Sequence, residues 1–237
     1  MTHYMMKTVR PDGASYGDFV WPLEVGAEVV APDWNDNAEC GGGLHGLHNG
    51  TGDGTLLNWS DDSVWIVASI ERSEIVDLGG KIKVPRCKIE HVGNQESATR
   101  FLSDAGIIGP IVGGTATAGD RGTATAGDRG TATAGDGGTA TAGDGGTATA
   151  GYWGTATAGY WGTATAGDGG TATAGDRGTA TAGCGGTATA GYWGTLVIRR
   201  WDGERYRTVV GYIGENGLEP NTPYKLDDKG EFVKADA

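Results

Sequence analysis

Cysteine is scarce and scattered, with three residues, Cys40, Cys87 and Cys184, in a chain of 237. An odd, widely spaced set makes no disulfide framework. Lys and Arg are in the minority, and their clearest cluster, Arg199, Arg200, Arg205 and Arg207, reads as a charged end of the tail. The chain holds 18 basic against 30 acidic residues, a net charge of −12. Phosphate neutralisation needs clustered bases, so no nucleic-acid partner is expected. No apolar run approaches the roughly 20 residues of a membrane-spanning helix, so no membrane partner is expected. The opening MTHYMMKTVRPDG lacks the apolar core of a secretion signal. These absences lead to the expectation of a soluble, cytoplasmic protein.

Motifs that carry chemistry are equally thin. Cys40, His45 and His48 fall together in CGGGLHGLHNG, and Cys87 and His91 in CKIEH. Thiolate and imidazole suit zinc, but the paired Cys-x2-Cys knuckle is absent. The simpler reading is a strand cysteine with histidines on a glycine loop, so no metal is assigned. CGGGLHG lacks the Lys-Ser/Thr ending of a phosphate loop. One Asp per repeat corner offers too few oxygens for calcium. No catalytic residue and no cofactor can be assigned, and the expectation is a protein that is not an enzyme.

What is abundant is glycine, 46 residues, and it is periodic. From Gly114 to Trp193 an octapeptide such as GTATAGDR runs ten times without insertion or deletion. Fixed self-similarity of this kind marks a repeat architecture. Within each unit TATA alternates with period two, as a strand with two unlike faces does. The four residues between, GDRG, GDGG, GYWG or GCGG, read as a corner whose end glycines permit positive φ. Two units close a coil of sixteen residues. Ten units make five coils, a narrow two-sheet β-solenoid on the order of 24 Å long at the usual strand spacing.

Burying the alanines gives a dry core with no polar atom to satisfy, whereas burying unpaired hydroxyls costs roughly 1–3 kcal/mol each. Where the repeat decays, in GTLVIRRW, Leu196 and Ile198 take the two alanine positions, as expected if those positions face inward. The outward array is then Thr115 and Thr117, Thr123 and Thr125, Thr131 and Thr133, Thr139 and Thr141, Thr147 and Thr149, Thr155 and Thr157, Thr163 and Thr165, Thr171 and Thr173, Thr179 and Thr181, and Thr187 and Thr189. Residues sixteen apart stack. One edge reads Asp120, Asp136, Tyr152, Asp168, Cys184, and the other Asp128, Asp144, Tyr160, Asp176, Tyr192. Such corners point to solvent, and their identity is expected to be free. Tyr152, Trp153, Tyr160, Trp161, Tyr192 and Trp193 are candidates for an interface with a second copy, since exposed aromatics are enriched at interfaces.

The units AGYWGTAT and AGDRGTAT resemble the repeats of bacterial ice-nucleation proteins, whose sixteen-residue coil pairs Ala-Gly-Tyr-Gly-Ser-Thr-x-Thr with Ala-Gly-x-x-Ser-x-x-Thr. The resemblance covers the 80 repeat residues. It implies outward Thr-x-Thr rows that order water or bind ice. Two departures stand out: those proteins use dozens of coils, and here both strands of a coil carry Thr-x-Thr. The segments SYGDFVWPLEVG, APDWNDNAECGGGLHG and VDLGGKIKVPR resemble an uncharacterised bacterial and phage domain that often precedes such octapeptides. That likeness implies an arrangement of parts and no chemistry.

The expected organisation is a mixed α+β head over residues 1–105, a solenoid over 106–194 and a β cap over 195–237. Head strands are expected at DFVWPLEVG, SVWIVASIE, SEIVDLG and KIKVPRCKIEHVG. A helix is expected at NQESATRFLSDAG, capped by Asn94 and stopped at Gly106. In the tail, a hairpin turning at Asp202-Gly203 and a last strand at EFVKA are expected. The function expected is a non-catalytic scaffold that displays a regular surface, either self-associating or binding ice or ordered water.

Overall fold

The computed structural model describes residues 2–15 and 19–235. The chain divides into two compact units, Met1–Gly114 and Thr115–Ala237.

The first unit is an antiparallel sheet of seven strands. These are β1 (His3–Val9), β2 (Glu28–Val30), β3 (Leu44–His48), β4 (Val64–Ile70), β5 (Val76–Asp77), β6 (Ile82–Val84) and β7 (Arg86–Gly93), in the spatial order β2-β7-β4-β1-β3-β6-β5. The β-branched run VWIVASI makes β4 a natural central strand. It pairs along its whole length with β1, from His3↔Ile70 to Val9↔Val64. Pro85 has no N–H to donate, and it divides the expected strand KIKVPRCKIEHVG into β6 and β7. The expected strand DFVWPLEVG begins outside the described residues, and beyond Phe19 it contributes only a bridge from Val20 to Ala14. SEIVDLG yields the two-residue β5.

Both faces of this sheet are buried. One packs Met5, Val9, Trp21, Ile66, Ala68, Val84 and Ile89. The other packs Met6, Leu47, Trp65 and Val67 against α1 (Gln95–Asp104) through Ala98 and Leu102. The helix starts in a capping box. Asn94 Oδ1 accepts from the Ser97 N–H at 2.9 Å, and the Asn94 N–H donates to Ser97 Oγ at 3.1 Å.

The second unit opens with ten strands: β8 (Thr115–Ala118), β9 (Thr123–Thr125), β10 (Thr131–Ala134), β11 (Thr139–Ala142), β12 (Thr147–Ala150), β13 (Thr155–Ala158), β14 (Thr163–Ala166), β15 (Thr171–Ala174), β16 (Thr179–Ala182) and β17 (Thr187–Ala190). Even-numbered strands form one parallel sheet and odd-numbered strands a second. Every pairing joins residues sixteen apart, as in Thr131↔Thr147 and Thr139↔Thr155. This is the two-sheet β-solenoid of sixteen-residue coils, five coils deep.

Alanine lies inside. The two per strand are fully or partly buried throughout, with Ala132, Ala140, Ala148, Ala156, Ala164, Ala172, Ala180 and Ala188 at 0% exposure. A buried methyl contributes less than about 1 kcal/mol, so this core is weak per residue and leans on unbroken backbone ladders.

The C-terminal end is heavier. β18 (Thr195–Trp201) continues the even sheet in parallel, and β19 (Tyr206–Tyr212) folds back on it. The turn between them spans residues 202–205, with Gly203 at φ +106°. β20 (Tyr224–Leu226) adds to β17, and β21 (Phe232–Lys234) adds to β20. Leu196, Ile198, Ile213, Leu218 and Tyr224 are buried against the last alanines. Each large side chain supplies roughly 1.5–3 kcal/mol, so the tail caps the open end of the alanine core.

Candidate functional site

The outward faces of the two sheets are threonine. Each sheet bears two columns, for example Thr123, Thr139, Thr155, Thr171, Thr187 beside Thr125, Thr141, Thr157, Thr173, Thr189. None of the 20 array threonines is buried. Among the described residues no array hydroxyl takes part in a hydrogen bond within the chain. In-register pairing spaces neighbours within a column at about 4.8 Å, and alternation spaces the two columns at about 6.6–7 Å. β-Branching restricts each χ1. The result is a stiff, in-register lattice of hydroxyls and methyls on the outer face of each sheet. On the even sheet it ends at the cap, where Thr195 and Val197 of β18 face Tyr212 and Val210 of β19.

The corners are less free than the sequence suggests. Each is a β-turn closed by the last glycine N–H donating to the first glycine carbonyl, Gly122 to Gly119 at 3.0 Å and Gly154 to Gly151 at 3.1 Å. The aspartate in second position reaches into the next coil. Asp120 Oδ1 accepts the Asp136 N–H at 3.1 Å, and Asp136 Oδ1 accepts the Tyr152 N–H at 2.8 Å. Asp128, Asp144, Asp168 and Asp176 do the same for Asp144, Tyr160, Cys184 and Tyr192. Each of these aspartates satisfies a turn N–H that stacking would otherwise strand. Asp168 also holds Arg199 at 2.9 Å. The Cys184 N–H first, and Arg199 second, keep its carboxyl below the usual carboxylate range.

The end glycines were expected to supply positive φ. Their role is instead close approach. A Cβ on Gly135 would sit 2.3 Å from Asp120 Oδ1 and 2.7 Å from the Asp120 nitrogen. The left-handed residue is the third of each corner: Gly137 at +66°, but also Arg121 at +57°, Trp153 at +55°, Trp161 at +56°, Arg177 at +59° and Trp193 at +55°. A side chain there costs roughly 1–2 kcal/mol. Tyr152, Trp153, Tyr160, Trp161, Tyr192 and Trp193 are all exposed. Arg177 lies between two of them, 5.3 Å from the Trp161 ring centre and 5.1 Å from that of Trp193.

The cysteines and histidines weighed for zinc lie apart in role and place. Cys40 is exposed beside Lys81 at 3.0 Å, and Cys87 is buried in β7. His45 and His48 lie on β3, a strand where a glycine loop was expected. His48 bonds His3 at 2.9 Å, and His91 bonds Ser97 at 2.9 Å. No three of the described His, Cys, Asp and Glu residues form a group that could hold a metal.

With this geometry in place, the chain proves similar to ice nucleation proteins. It is 31% identical over 100 residues to InaU of Pantoea ananas, which is 41% of this chain and 10% of the relative. It is 32% identical over 101 residues to one from Pseudomonas syringae, 42% of this chain and 9% of the relative. A shorter match, 51% over 41 residues, is to one from Xanthomonas campestris pv. translucens, 17% of this chain and 3% of the relative. The chain thus spans about a tenth of the length of the curated relatives it matches. No protein-family model matches it, and neither does any solved structure. The resemblance read from the octapeptides therefore holds, and the second unit is a repeat scaffold. The cytoplasmic expectation is overturned by the same similarity: ice nucleation proteins are surface proteins anchored at the outer membrane, not cytoplasmic ones. That expectation was drawn from the residues at which the sequence opens, from which location does not follow.

Proposed function

We propose that the threonine faces bind ice by holding water in a preformed lattice, with the solenoid as the rigid support. One observation carries the reading: 20 in-register threonines, none buried, with hydroxyls uncommitted inside the chain. A surface already ordered loses little entropy when water adopts its spacing, and methyl groups between the hydroxyls restrain the competing hydration of bulk water. The names of the relatives support this reading. So does the invariance of threonine over ten units, because a lattice match is lost at each displaced site while corners stand outside it.

The test is thermal hysteresis and ice-crystal shaping by the purified chain beside Thr155→Tyr/Thr171→Tyr, a pair adjacent in one column. Activity in the parent that is lost in the folded variant supports ice binding. A parent with no hysteresis and no shaping at high concentration rejects it.

A second reading is favoured by the exposed, backbone-strained aromatics of the corners. A scaffold that associates with a second copy would use them. Sedimentation of Tyr160→Ala/Trp161→Ala beside the parent separates the two: association lost with hysteresis intact assigns the corners, and a monomeric parent removes that role.

A further inference from the structure

The first unit holds a cavity that the solenoid's function does not use. β1 and β3 hydrogen-bond only at Met5↔His48 and Met6↔Leu47. Beyond that point β3 turns to β6, pairing Leu44↔Val84 and Gly46↔Ile82. Gly46 still lies close against β1, where a Cβ would strike Met5 Cγ at 2.5 Å and the Met6 carbonyl at 2.7 Å, but the β1–β3 ladder has ended by this point. A cavity of about 1120 Å³ opens in the gap, lined by residues that include Lys7, Arg10, Phe19, Trp21, His45 and Lys81.

Two buried ammonium groups in this unit are treated in opposite ways. Lys83 is fully buried, and its Nζ donates to Asn35 Oδ1 at 2.9 Å, Asn37 Oδ1 at 2.9 Å, the Glu39 carbonyl at 3.0 Å and the Gly41 carbonyl at 3.1 Å. Lys7 alternates with Met5 and Val9 along β1 and so stands on a core face of the strand. Its Nζ lies 4.2 Å from the centre of the Trp21 ring. Among the described residues it has no carboxylate and no hydrogen-bond acceptor. Cys87, the group whose thiolate would attract it, is pushed by burial up to about 12 and kept as a neutral thiol. Burial likewise lowers Lys7 to about 8.

Other polar atoms around the cavity are also unmatched. Trp21 is 2% exposed, and its indole N–H has no partner. His45 Nε2 is buried without one, and burial first, then Lys81, Lys7 and Lys83, keep that ring neutral. The lining carries Lys7, Arg10 and Lys81 against one carboxylate, Asp33, whose Oδ1 is already taken by the Gly43 N–H at 3.1 Å. Yet residues 1–113 hold 16 acidic and 8 basic residues, a net charge of −8. A cavity lined by three cations and one carboxylate, in an acidic unit and with an unpaired ammonium against an indole face, calls for an anion.

We infer that this cavity binds a small organic carboxylate with a flat apolar body, its charge meeting the Lys7 ammonium and its body resting on Phe19. One negative charge balances the one unpaired ammonium, and the aromatic wall selects a ring over a bare ion.

The probe is 2-naphthoate, titrated calorimetrically into the full chain, with neutral 2-naphthalenemethanol as control. Saturable naphthoate binding is expected, weakened at least tenfold in Lys7→Met, retained in Lys7→Arg and absent for the alcohol. Equal naphthoate affinity in parent and Lys7→Met overturns the inference, as does no saturable binding by the parent at millimolar probe. If Lys7→Met does not fold, the parent alone decides. Naphthoate raises the pKa of Lys7, read from its ε-methylene NMR signals, when the carboxylate pairs with it. No rise at saturating probe overturns the pairing.

Discussion

The two units solve the same problem, burying a sheet, by opposite means. The solenoid repeats one solution: an alanine core at or near zero exposure, six corner N–H groups answered by Asp Oδ1 from the coil before and, among the described residues, no orphaned buried side-chain polar atom. The N-terminal unit uses each solution once. It buries two tryptophans, a lysine and a cysteine among bulky apolar side chains and half-buries a second lysine, and all three orphaned side-chain atoms among the described residues, those of Trp21, His45 and Ser63, are in it. Uniformity makes a surface, and irregularity makes a cavity. The difference teaches where individual chemistry can reside. A repeat displays the same groups at every step, whereas only a single-copy core can leave one ammonium unmatched.

The strongest way to break the solenoid side of that comparison is charge in the alanine core. Ala156→Asp buries an unpaired carboxylate at a position of 0% exposure and should cost several kcal/mol, enough to melt the rod. Thr155→Asp, one residue away on the exposed face, should change stability by less than about 0.5 kcal/mol. Urea unfolding followed by circular dichroism checks both. Equal tolerance would mean that the faces are assigned the wrong way round.

On the other side, Lys83 and Lys7 should part company. Lys83→Met strands two asparagine oxygens and two carbonyls and should destabilise the N-terminal unit by about 3 kcal/mol. Lys7→Met removes an ammonium that no acceptor holds and should be neutral or stabilising. Hydrogen exchange of β1 and β4 amides reads this unit separately from the solenoid. A similar loss for both variants would erase the contrast.

Lys7 also sets a pH dependence. Its pKa in the fold is about 8 against 10.5 for a free lysine, so between these values the unfolded chain binds more protons. Stability should therefore rise with pH, by up to about 1 kcal/mol between pH 8 and 9. Cys87 acts with opposite sign. Its pKa rises from 9.0 to about 12, so above pH 9 the fold retains a proton that the unfolded chain has lost. The two slopes then cancel, and the gain should flatten above pH 9. In Lys7→Met the rise should vanish and a fall above pH 9 remain. A rise unchanged in that variant would place its source elsewhere.

What could be read from the chain follows the same division. Ala-in orientation, sixteen-residue stacking, the Asn94 cap and the 202–205 turn were legible, because period, cap chemistry and turn residues are local signals. β1 and β3 were not. HYMMKTV mixes a lysine into a buried strand, and LHGLH reads as a continuation of the glycine loop before it. Only pairing with β4 and β6 makes strands of them. The aspartate ladder was missed for a related reason. Its column was visible in the sequence, but the backbone N–H it serves appears only when coils are stacked. The Lys7 cavity had no local signal at all, since it depends on where two strands part.

The smallest effect sharpens the account of the corners. Arg121 occupies a third-corner position at φ +57°, where Gly137 stands one coil on at +66°. Arg121→Gly relieves a left-handed conformation worth roughly 1–2 kcal/mol. It also loosens the unfolded chain, which costs about 0.5–1 kcal/mol. The hydrogen bond from its N–H to the Asp136 carbonyl, 2.8 Å, is a backbone bond and survives. A net gain of about 0.5 kcal/mol should remain. Gly137→Arg should lose a similar amount, and the pair of changes together should restore the parent value. Hysteresis should not move in any of the three, because the threonine lattice is untouched. If Arg121→Gly instead destabilised the rod, the arginine side chain would be contributing more than its backbone strain removes, and the corners would count as part of what holds the coils together.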